Sequence, residues 1–328
     1  MEKILIIMAE QARPGAPDGP HTFRPEHEAM LHSCLGPDDE LIVATPDEAP
    51  PLYAEATVVA SFPARMPDIS LLPQAKWLHS FSAGVDRILT PDVARSEVLL
   101  SNSRGVHATP IAEHIIGFCL TFTRGFRQTH ENQQKHRWEK AGTLGELRDA
   151  NILIVGMGEI GTEAARLFGA FGAHVHALVR KQRAGPDFVE RMGTLLNLDE
   201  ELPWADFIII TLPHTSETHH LFDRSKFLLM KPEAIIMNIG RGGIINESDL
   251  IDALGSGRIG GAGLDVFERE PLPSDSPLWD MEQVILTPHH SGLSHKYMDR
   301  ATDLLCKNLQ AYLKGQKLPT TVDKTLGY

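Results

Sequence analysis

The fold is decided by the stretch NILIVGMGEIG, residues 151–161, which predicts a strand, a glycine-rich turn and the start of a helix. In such a turn, Gly156 permits the tight bend, Gly158 lets a pyrophosphate approach the backbone, and Gly161 lets the helix pack on the strand. The helix N-terminus offers N–H donors and a favourable dipole to phosphates. Glycines also form turns that bind nothing, but this context predicts a dinucleotide-binding turn. Its predicted cofactor contacts are Gly156, Met157, Gly158, Glu159, Ile160 and Gly161.

The next predicted strand, residues 173–179, is followed by the basic sequence RKQR at 180–183. Enzymes that use NAD usually carry Asp or Glu at this point to bind the ribose hydroxyls, but here the next carboxylate is Asp187. The cations can hold a 2′-phosphate through charge-assisted hydrogen bonds; the alternative is a solvated basic loop. We therefore predict that NADP(H) is preferred over NAD(H). The residues predicted to make this choice are Arg180, Lys181 and Arg183.

Short apolar runs alternate with helical stretches along the whole chain. The run 207–210, Phe-Ile-Ile-Ile, is continuously apolar, as in strands of a parallel sheet that helices cover on both faces. The alternation predicts an α/β fold built from βαβ units. The runs are 3–8, 40–44, 57–60, 76–80 and 97–100, then 151–155, 173–179, 193–196, 207–211, 234–238, 261–266 and 284–287.

Composition narrows the class of protein. A length of 328 residues allows about two domains, and a net charge of −12 argues against a nucleic-acid partner. No apolar run is long enough to span a membrane, and the N-terminal run is too short for a signal peptide. The three cysteines are odd in number and form no CxxC pair, which favours a reducing compartment. We predict a cytoplasmic protein without a membrane or nucleic-acid partner.

Three further segments follow predicted strands and carry polar side chains. They are residues 238–243 (NIGRGG), 264–271 (LDVFEREP) and 287–292 (TPHHSG). Ligands of an open α/β sheet bind outside the carboxyl ends of its strands. An arginine, carboxylates and histidines can therefore converge there from separate loops.

These segments, together with residues 82–86 (SAGVD), 102–105 (NSRG) and Ala112-Glu113, make the chain resemble the D-isomer-specific 2-hydroxyacid dehydrogenase family over nearly its whole length. The resemblance implies a Rossmann-type cofactor domain inserted into a flavodoxin-like substrate domain, with a cleft between them. It places the substrate domain at 1–102 and 293–328, and the dinucleotide-binding domain at 103–292.

The resemblance also implies the catalytic roles. Arg241 binds the substrate carboxylate and polarises the carbonyl, a task that suits its planar fork. His289 gives a proton to the carbonyl oxygen during reduction. Glu270 pairs with His289, fixes its tautomer and favours its protonated form. The backbone N–H groups around Ala83 and Gly84 also hold the substrate carboxylate.

Further cofactor contacts follow from the same resemblance. Asp265 is expected to anchor the nicotinamide carboxamide, and Arg180 departs from the pattern of NAD-dependent members. The other expected cofactor contacts are Thr109, Leu212, Pro213, Thr218, Asn238, Ile239, Gly240, His289 and Gly292.

Two neighbours compete for the catalytic roles. Glu268 is the alternative to Glu270, and His290 is the alternative to His289; the family position favours Glu270 and His289. The pairs His219-His220 and His289-His290 match no metal-ligand spacing and have no cysteine cluster beside them. We therefore predict no metal.

Thr109-Pro110 and the residues after it predict a helix that Thr109 caps. The apolar face of this helix is expected to pack in the core or in a subunit interface. The resemblance implies a homodimer built on this helix and the arm after it, where Trp138 either reaches the partner's active site or packs within the arm. The resulting hypothesis is an oxidoreductase acting on a small 2-oxo acid or D-2-hydroxy acid, with glyoxylate or hydroxypyruvate as candidates. A nucleotide-sensing, corepressor-like dimer is the alternative from another class, and formate oxidation is a third.

Overall fold

The computed structural model describes residues 1–8, 19 and 21–325. They form two compact units, which we call unit 1 (Met1–His107 and Leu293–Tyr328) and unit 2 (Ala108–Gly292). Each unit holds a parallel sheet accompanied by helices, which confirms the predicted α/β fold. Among the described residues, no helix is both long and apolar enough to cross a membrane.

Unit 1 is built on a five-stranded sheet of order β2-β1-β3-β4-β5, the strand order of flavodoxin-like folds. In β1, Ile4 and Ile6 enter one apolar core while Leu5 and Ile7 enter another, which explains why this strand has no polar face. Its strands are β1 Lys3–Ile7, β2 Glu40–Ala44, β3 Val58–Ser61, β4 Trp77–Ser80 and β5 Leu99–Asn102. Its helices are α1 Pro25–His32, α2 Pro91–Arg95 and α9 Tyr297–Leu313.

Unit 2 is built on a seven-stranded parallel sheet of order β12-β11-β10-β9-β6-β7-β8, with the glycine-turn strand β6 between β9 and β7. Every predicted apolar run overlaps a strand; the largest shifts are two residues, at 97–100, where the strand is Leu99–Asn102, and at 193–196, where it is Arg191–Thr194. The strands are β6 Asn151–Val155, β7 His174–Val179, β8 Arg191–Thr194, β9 Phe207–Ile210, β10 Ile235–Asn238, β11 Gly261–Leu264 and β12 Val284–Leu286.

The helices of unit 2 cover this sheet, and α3 packs against α5. Helix α3 begins at Ala108, so the prediction that Thr109 caps it is wrong: Thr109 lies inside the first turn. Pro110 is tolerated there because the first N–H groups of a helix have no intrahelical acceptor. The helices are α3 Ala108–Thr123, α4 Phe126–Gln134, α5 Glu159–Phe171, α6 Leu198–Glu201, α7 Arg224–Phe227 and α8 Glu247–Gly255.

Two cysteines are paired, although the cysteine count and spacing favoured a reducing compartment. Cys34, just after α1, forms a disulfide with Cys306 in α9, and their Cα atoms are 5.9 Å apart. Spacing along the sequence does not reveal this pair, because 272 residues separate the two positions and only the packing of α1 against α9 joins them. Cys119 is free and buried.

Candidate active site

The candidate site residues of unit 2 stand at one edge of its sheet. Strands β6, β9, β10, β11 and β12 are parallel neighbours, so their carboxyl ends share this edge. The loops that follow these strands carry the glycine turn and the side chains predicted to be catalytic. This is the place where ligands of open α/β sheets bind.

The glycine turn has the geometry that a pyrophosphate requires. Gly156 has φ of +113°, which disfavours any side chain, and its carbonyl accepts a hydrogen bond of 2.6 Å from Thr211 Oγ1. A Cβ on Gly161 would lie 2.0 Å from the Gly156 carbonyl oxygen, so the helix can pack here only without one. A Cβ on Gly158 would meet nothing within 4 Å, so the space beside it is open. The residues therefore fit a dinucleotide at the start of α5.

The basic loop after β7 reaches this turn. The guanidinium of Arg183 donates a hydrogen bond to the carbonyl of Met157, inside the glycine sequence. Arg180 and Lys181 are exposed on the same short loop. Arg180, Lys181 and Arg183 thus lie on one segment, and Arg183 joins that segment to the glycine turn.

The loop after β9 is held by its own side chains. Thr218 is buried; its hydroxyl donates to Pro213 O at 2.7 Å and accepts from the Thr215 N–H at 2.8 Å. The hydroxyl therefore closes the loop, and its predicted cofactor contact stays a prediction. Leu212 places its backbone against Gly240, where a Cβ would lie 2.6 Å from the Leu212 oxygen.

Arg241 stands on a compact turn after β10. The Asn238 amide donates to Arg241 O at 2.9 Å and its oxygen accepts from the Gly240 N–H at 3.1 Å. Gly242 packs so tightly on the loop after β11 that a Cβ would lie 1.9 Å from the carbonyl carbon of Phe267. The turn therefore presents an exposed Arg241 side chain from a closely packed backbone.

His289 and Glu270 form the predicted pair. His289 Nδ1 lies 2.7 Å from Glu270 Oε2, and the other Glu270 oxygen accepts the Phe267 N–H at 3.1 Å. A carboxylate only accepts, so Nδ1 carries a proton and Nε2 is left for another partner. His289 has φ of +49°, the left-handed region that side chains rarely adopt.

Glu268 does not contact His289. Its carboxylate oxygen Oε1 lies 2.8 Å from His220 Nε2 and accepts the Glu247 N–H at 3.1 Å. The Glu268 N–H in turn donates to Glu247 Oε2 at 3.2 Å, and burial raises the pKa of the Glu247 carboxyl. Glu268 therefore links neighbouring loops, and Glu270 is the one of the two carboxylates that lies beside His289. The catalytic role of Glu270 stays a prediction.

Asp265 is buried, and both its oxygens accept hydrogen bonds from the loop after β12. Oδ1 accepts from Thr287 Oγ1 at 2.6 Å and from the His290 N–H at 3.0 Å, and Oδ2 accepts from the Ser291 N–H at 3.1 Å. The expected contact with the nicotinamide carboxamide stays a prediction. The arrangement shows a second task for Asp265, which is to hold the loop that carries His289.

Ligand atoms of His114, Asp265 and His290 lie within 4.8 Å of one another, close enough to hold a metal ion. Local spacing does not show this cluster, because its members come from three separate segments. The donors on both Asp265 oxygens compete with a cation for the carboxylate. The predicted absence of a metal stays a prediction.

In unit 1, the loop after β4 is fixed by the end of β5. The Asn102 amide donates to Ala83 O at 2.6 Å, and the Ser103 N–H donates to Ser82 O at 3.1 Å. In a trans peptide, C=O and N–H point in opposite directions, so Asn102 sets the direction of the Gly84 N–H. The sequence alone assigned Asn102 no role in the site, although it begins the NSRG motif at a strand end.

Thr211 and His114 are two further site residues that the sequence alone did not identify. Thr211 follows β9 directly, and the rule that ligands gather at strand ends points to it. His114 lies on α3, away from any strand end, and no local sequence signal marks it.

The fold and the glycine turn define a dinucleotide-binding α/β protein, and comparisons with known proteins identify its family. Residues 116–291 match the family model described as D-isomer specific 2-hydroxyacid dehydrogenase, NAD binding domain. D-3-phosphoglycerate dehydrogenase of Mycobacterium tuberculosis is 33% identical over 88% of this chain, and the match spans 54% of that relative. Glyoxylate reductase of Thermofilum pendens is 31% identical over 77% of this chain and 76% of that protein.

Solved structures agree over almost the whole chain. A D-isomer specific 2-hydroxyacid dehydrogenase family protein from Aeromonas salmonicida matches with a TM-score of 0.80 at 32% identity, covering 99% of this chain and 100% of that one. An NADPH-dependent glyoxylate/hydroxypyruvate reductase from Sinorhizobium meliloti, solved with NADP and sulfate, matches with a TM-score of 0.76 at 29% identity, covering 100% of both chains. The chain belongs to the D-isomer-specific 2-hydroxyacid dehydrogenase family.

Proposed function

We propose that this protein reduces a small 2-oxo acid to the D-2-hydroxy acid, with NADP(H) preferred over NAD(H). The observation that carries the proposal is the His289–Glu270 pair at 2.7 Å, at the sheet edge that also holds the glycine turn. In this pair Glu270 fixes the orientation of the His289 ring, and general acid catalysis requires a positioned proton donor. Unit 2 is the cofactor domain in this proposal, and unit 1 is the substrate domain.

Each of the chain's catalytic side chains has one task. Arg241 receives the substrate carboxylate in its planar fork and draws electron density from the adjacent carbonyl. Glu270 accepts from His289 Nδ1, so that the doubly protonated His289 ring presents its Nε2–H to the carbonyl oxygen. Transfer of that proton leaves a neutral imidazole whose remaining proton is on Nδ1. When bound, the nicotinamide supplies the hydride. In unit 1, the N–H groups around Ala83 and Gly84 are the further proposed donors to the carboxylate.

The cofactor preference rests on the basic loop. Arg183 is tied to the Met157 carbonyl, so its charge stands beside the glycine turn, and Arg180 and Lys181 add to it. A 2′-phosphate there forms charge-assisted hydrogen bonds that NADH cannot form. The related structure from Sinorhizobium meliloti contains NADP, which supports this choice. Arg183→Ala is expected to weaken NADPH binding by about tenfold, one lost charge-assisted bond, and to leave NADH binding within twofold.

The substrate and the assembly are further parts of the proposal. Glyoxylate and hydroxypyruvate are the candidate acids, which the names of two relatives support. A homodimer is supported by Trp138, which is fully exposed on the arm after α4, and by Phe126 and Leu144, which are exposed in the same part of the chain. In the proposed homodimer, a second copy of the chain buries these three side chains. A cytoplasmic location also belongs to the proposal.

The test is turnover. Purified protein is mixed with NADPH or NADH and a panel of glyoxylate, hydroxypyruvate, pyruvate and phenylpyruvate, and the reduced nicotinamide absorbance is followed. Faster oxidation of NADPH than of NADH is the expected result. Equal or faster rates with NADH would contradict the cofactor preference alone. Folded protein that binds nucleotide but turns over no acid would contradict the reductase and favour a nucleotide-sensing role.

A further inference from the structure

His114, in helix α3, contacts the loop that carries His289. Its Nε2 lies 3.1 Å from Thr287 Oγ1, which lies 2.6 Å from Asp265 Oδ1. A threonine hydroxyl has one hydrogen, and the carboxylate can only accept, so that hydrogen lies toward Asp265. The imidazole must then donate from Nε2. Burial lowers the pKa of His114, although the Asp265 charge opposes this shift, so the ring is neutral near pH 7 and carries its proton on Nε2.

The same carboxylate holds the loop on the far side of His289. The N–H groups of His290 and Ser291 donate to it at 3.0 and 3.1 Å, while Thr287 donates from the near side. His289 lies between these anchors with φ of +49°. Surrounding structure has to hold a non-glycine residue in this conformation. Asp265 is buried in unit 2 and is suited to do so.

We propose that His114, Thr287 and Asp265 form a hydrogen-bonded relay that holds the loop 287–291 so that His289 Nδ1 faces Glu270. In this relay His114 is a positioning residue, because it acts on the loop through Thr287. Its ring is fixed in turn by an edge-to-face contact with Phe118, at 4.5 Å between centroids. The functional value of the relay rests on the proposed reductase function, but its effect on the His289 ring does not.

The variants separate the relay from general packing. His114→Leu removes the donor, and Thr287→Val removes the hydroxyl while nearly keeping its shape. His114→Gln retains an amide donor close to the position of Nε2 and serves as the conservative rescue. His174→Leu is the matched control, because His174 pairs with Glu190 at 2.7 Å elsewhere in unit 2 and has no role in the site.

We expect His114→Leu and Thr287→Val to lower kcat on the order of tenfold, because small displacements of a catalytic group reduce rates steeply. The KM for NADPH should stay within twofold, His114→Gln should recover most of the rate, and His174→Leu should match the parent. A rise in the KM for NADPH at unchanged kcat would overturn the relay, because the trio would then serve cofactor binding and not the position of His289.

A second readout does not require turnover. Nitrogen-15 NMR of histidine-labelled protein, with the His289 signals assigned by their loss in His289→Gln, reports which ring nitrogen carries the proton. The parent should show the Nδ1–H form of His289, and His114→Leu should show a mixture of forms. Unchanged His289 signals in both His114→Leu and Thr287→Val would overturn the proposal, and so would loss of folding in both. A parent without turnover would refute the reductase function, while the NMR result would still decide the relay.

Discussion

Glu268 and Glu270 provide a matched test of the catalytic pair, because each carboxylate lies within hydrogen-bond distance of one histidine. Glu270 lies 2.7 Å from His289, and Glu268 lies 2.8 Å from His220. Glu270→Gln replaces a charged acceptor by a neutral amide at almost constant volume, and Glu268→Gln makes the same change two residues away. The first change should impair the proton donor, and the second should not.

The magnitude follows from the kind of bond and its exposure. A hydrogen bond to a charged group contributes about 1.5–3 kcal/mol. The side chains of His289 and Glu270 are 51% and 36% exposed, so solvent screens the pair and the lower part of that range applies. At about 1.4 kcal/mol per factor of ten, kcat should fall roughly 10- to 30-fold in Glu270→Gln. Glu268→Gln, which keeps an acceptor for the Glu247 N–H, should stay within about twofold.

The assay is the steady-state rate of NADPH oxidation at saturating 2-oxo acid, with thermal unfolding of both variants as the control for folding. Equal losses in the two variants would contradict this prediction, because of these two carboxylates it is Glu270 that contacts His289. A loss below about threefold in Glu270→Gln would refute it as well, since the pair would then contribute less than the lower end of the range for a hydrogen bond to a charged group.

Three further predictions concern the cofactor turn, acid stability and assembly. In Gly158→Ala the added Cβ meets open space, so the variant should unfold at the parent temperature but bind NADPH at least about tenfold more weakly. Gly161→Ala should lose about 1–3 kcal/mol of stability because its Cβ overpacks the turn. Calorimetry measures the stability of both variants, and titration measures their NADPH binding. Burial lowers the pKa of His79 to about 3 in the folded protein. Below about pH 6.5 the unfolded chain binds a proton at His79 and the folded protein does not, so the free energy of unfolding of the parent decreases as the pH falls. His79→Gln should therefore lose about 2 kcal/mol less than the parent between pH 7 and 5 in denaturant titrations; parallel curves would contradict this. Light scattering should give twice the chain mass for the parent and less for Trp138→Glu, and a monomeric parent would refute the homodimer.

The fold was predictable because its signals are local. The apolar runs and the glycine pattern at 151–161 are properties of neighbouring residues, and β6 appears at Asn151–Val155 as expected. A parallel sheet gathers its strand ends at one edge. This rule predicts that the loops at 264–271 and 287–292 converge, and the resemblance to the family implied that Glu270 and His289 pair there.

The remaining contacts depend on packing between distant segments. Cys34 meets Cys306 only because two helices of unit 1 pack together. His114 contacts Thr287, which is 173 residues away in the sequence. The family resemblance assigned the Asp265 carboxylate to the cofactor but did not reveal its hydrogen-bond partners in the loop after β12. No periodicity or short motif encodes a hydrogen bond between side chains that the fold alone brings together.

Identifying the product tests most directly whether His289, Glu270 and Arg241 catalyse the reduction of a 2-oxo acid. Parent protein and the His289→Gln variant are incubated with NADPH and pyruvate or hydroxypyruvate, and the hydroxy acid formed is resolved by chiral chromatography. We expect one D-hydroxy acid per NADPH oxidised by the parent, and at least a hundredfold less from the variant, because general acid catalysis contributes about 10²–10⁴-fold. The L-isomer, or equal product from both proteins, would contradict this expectation.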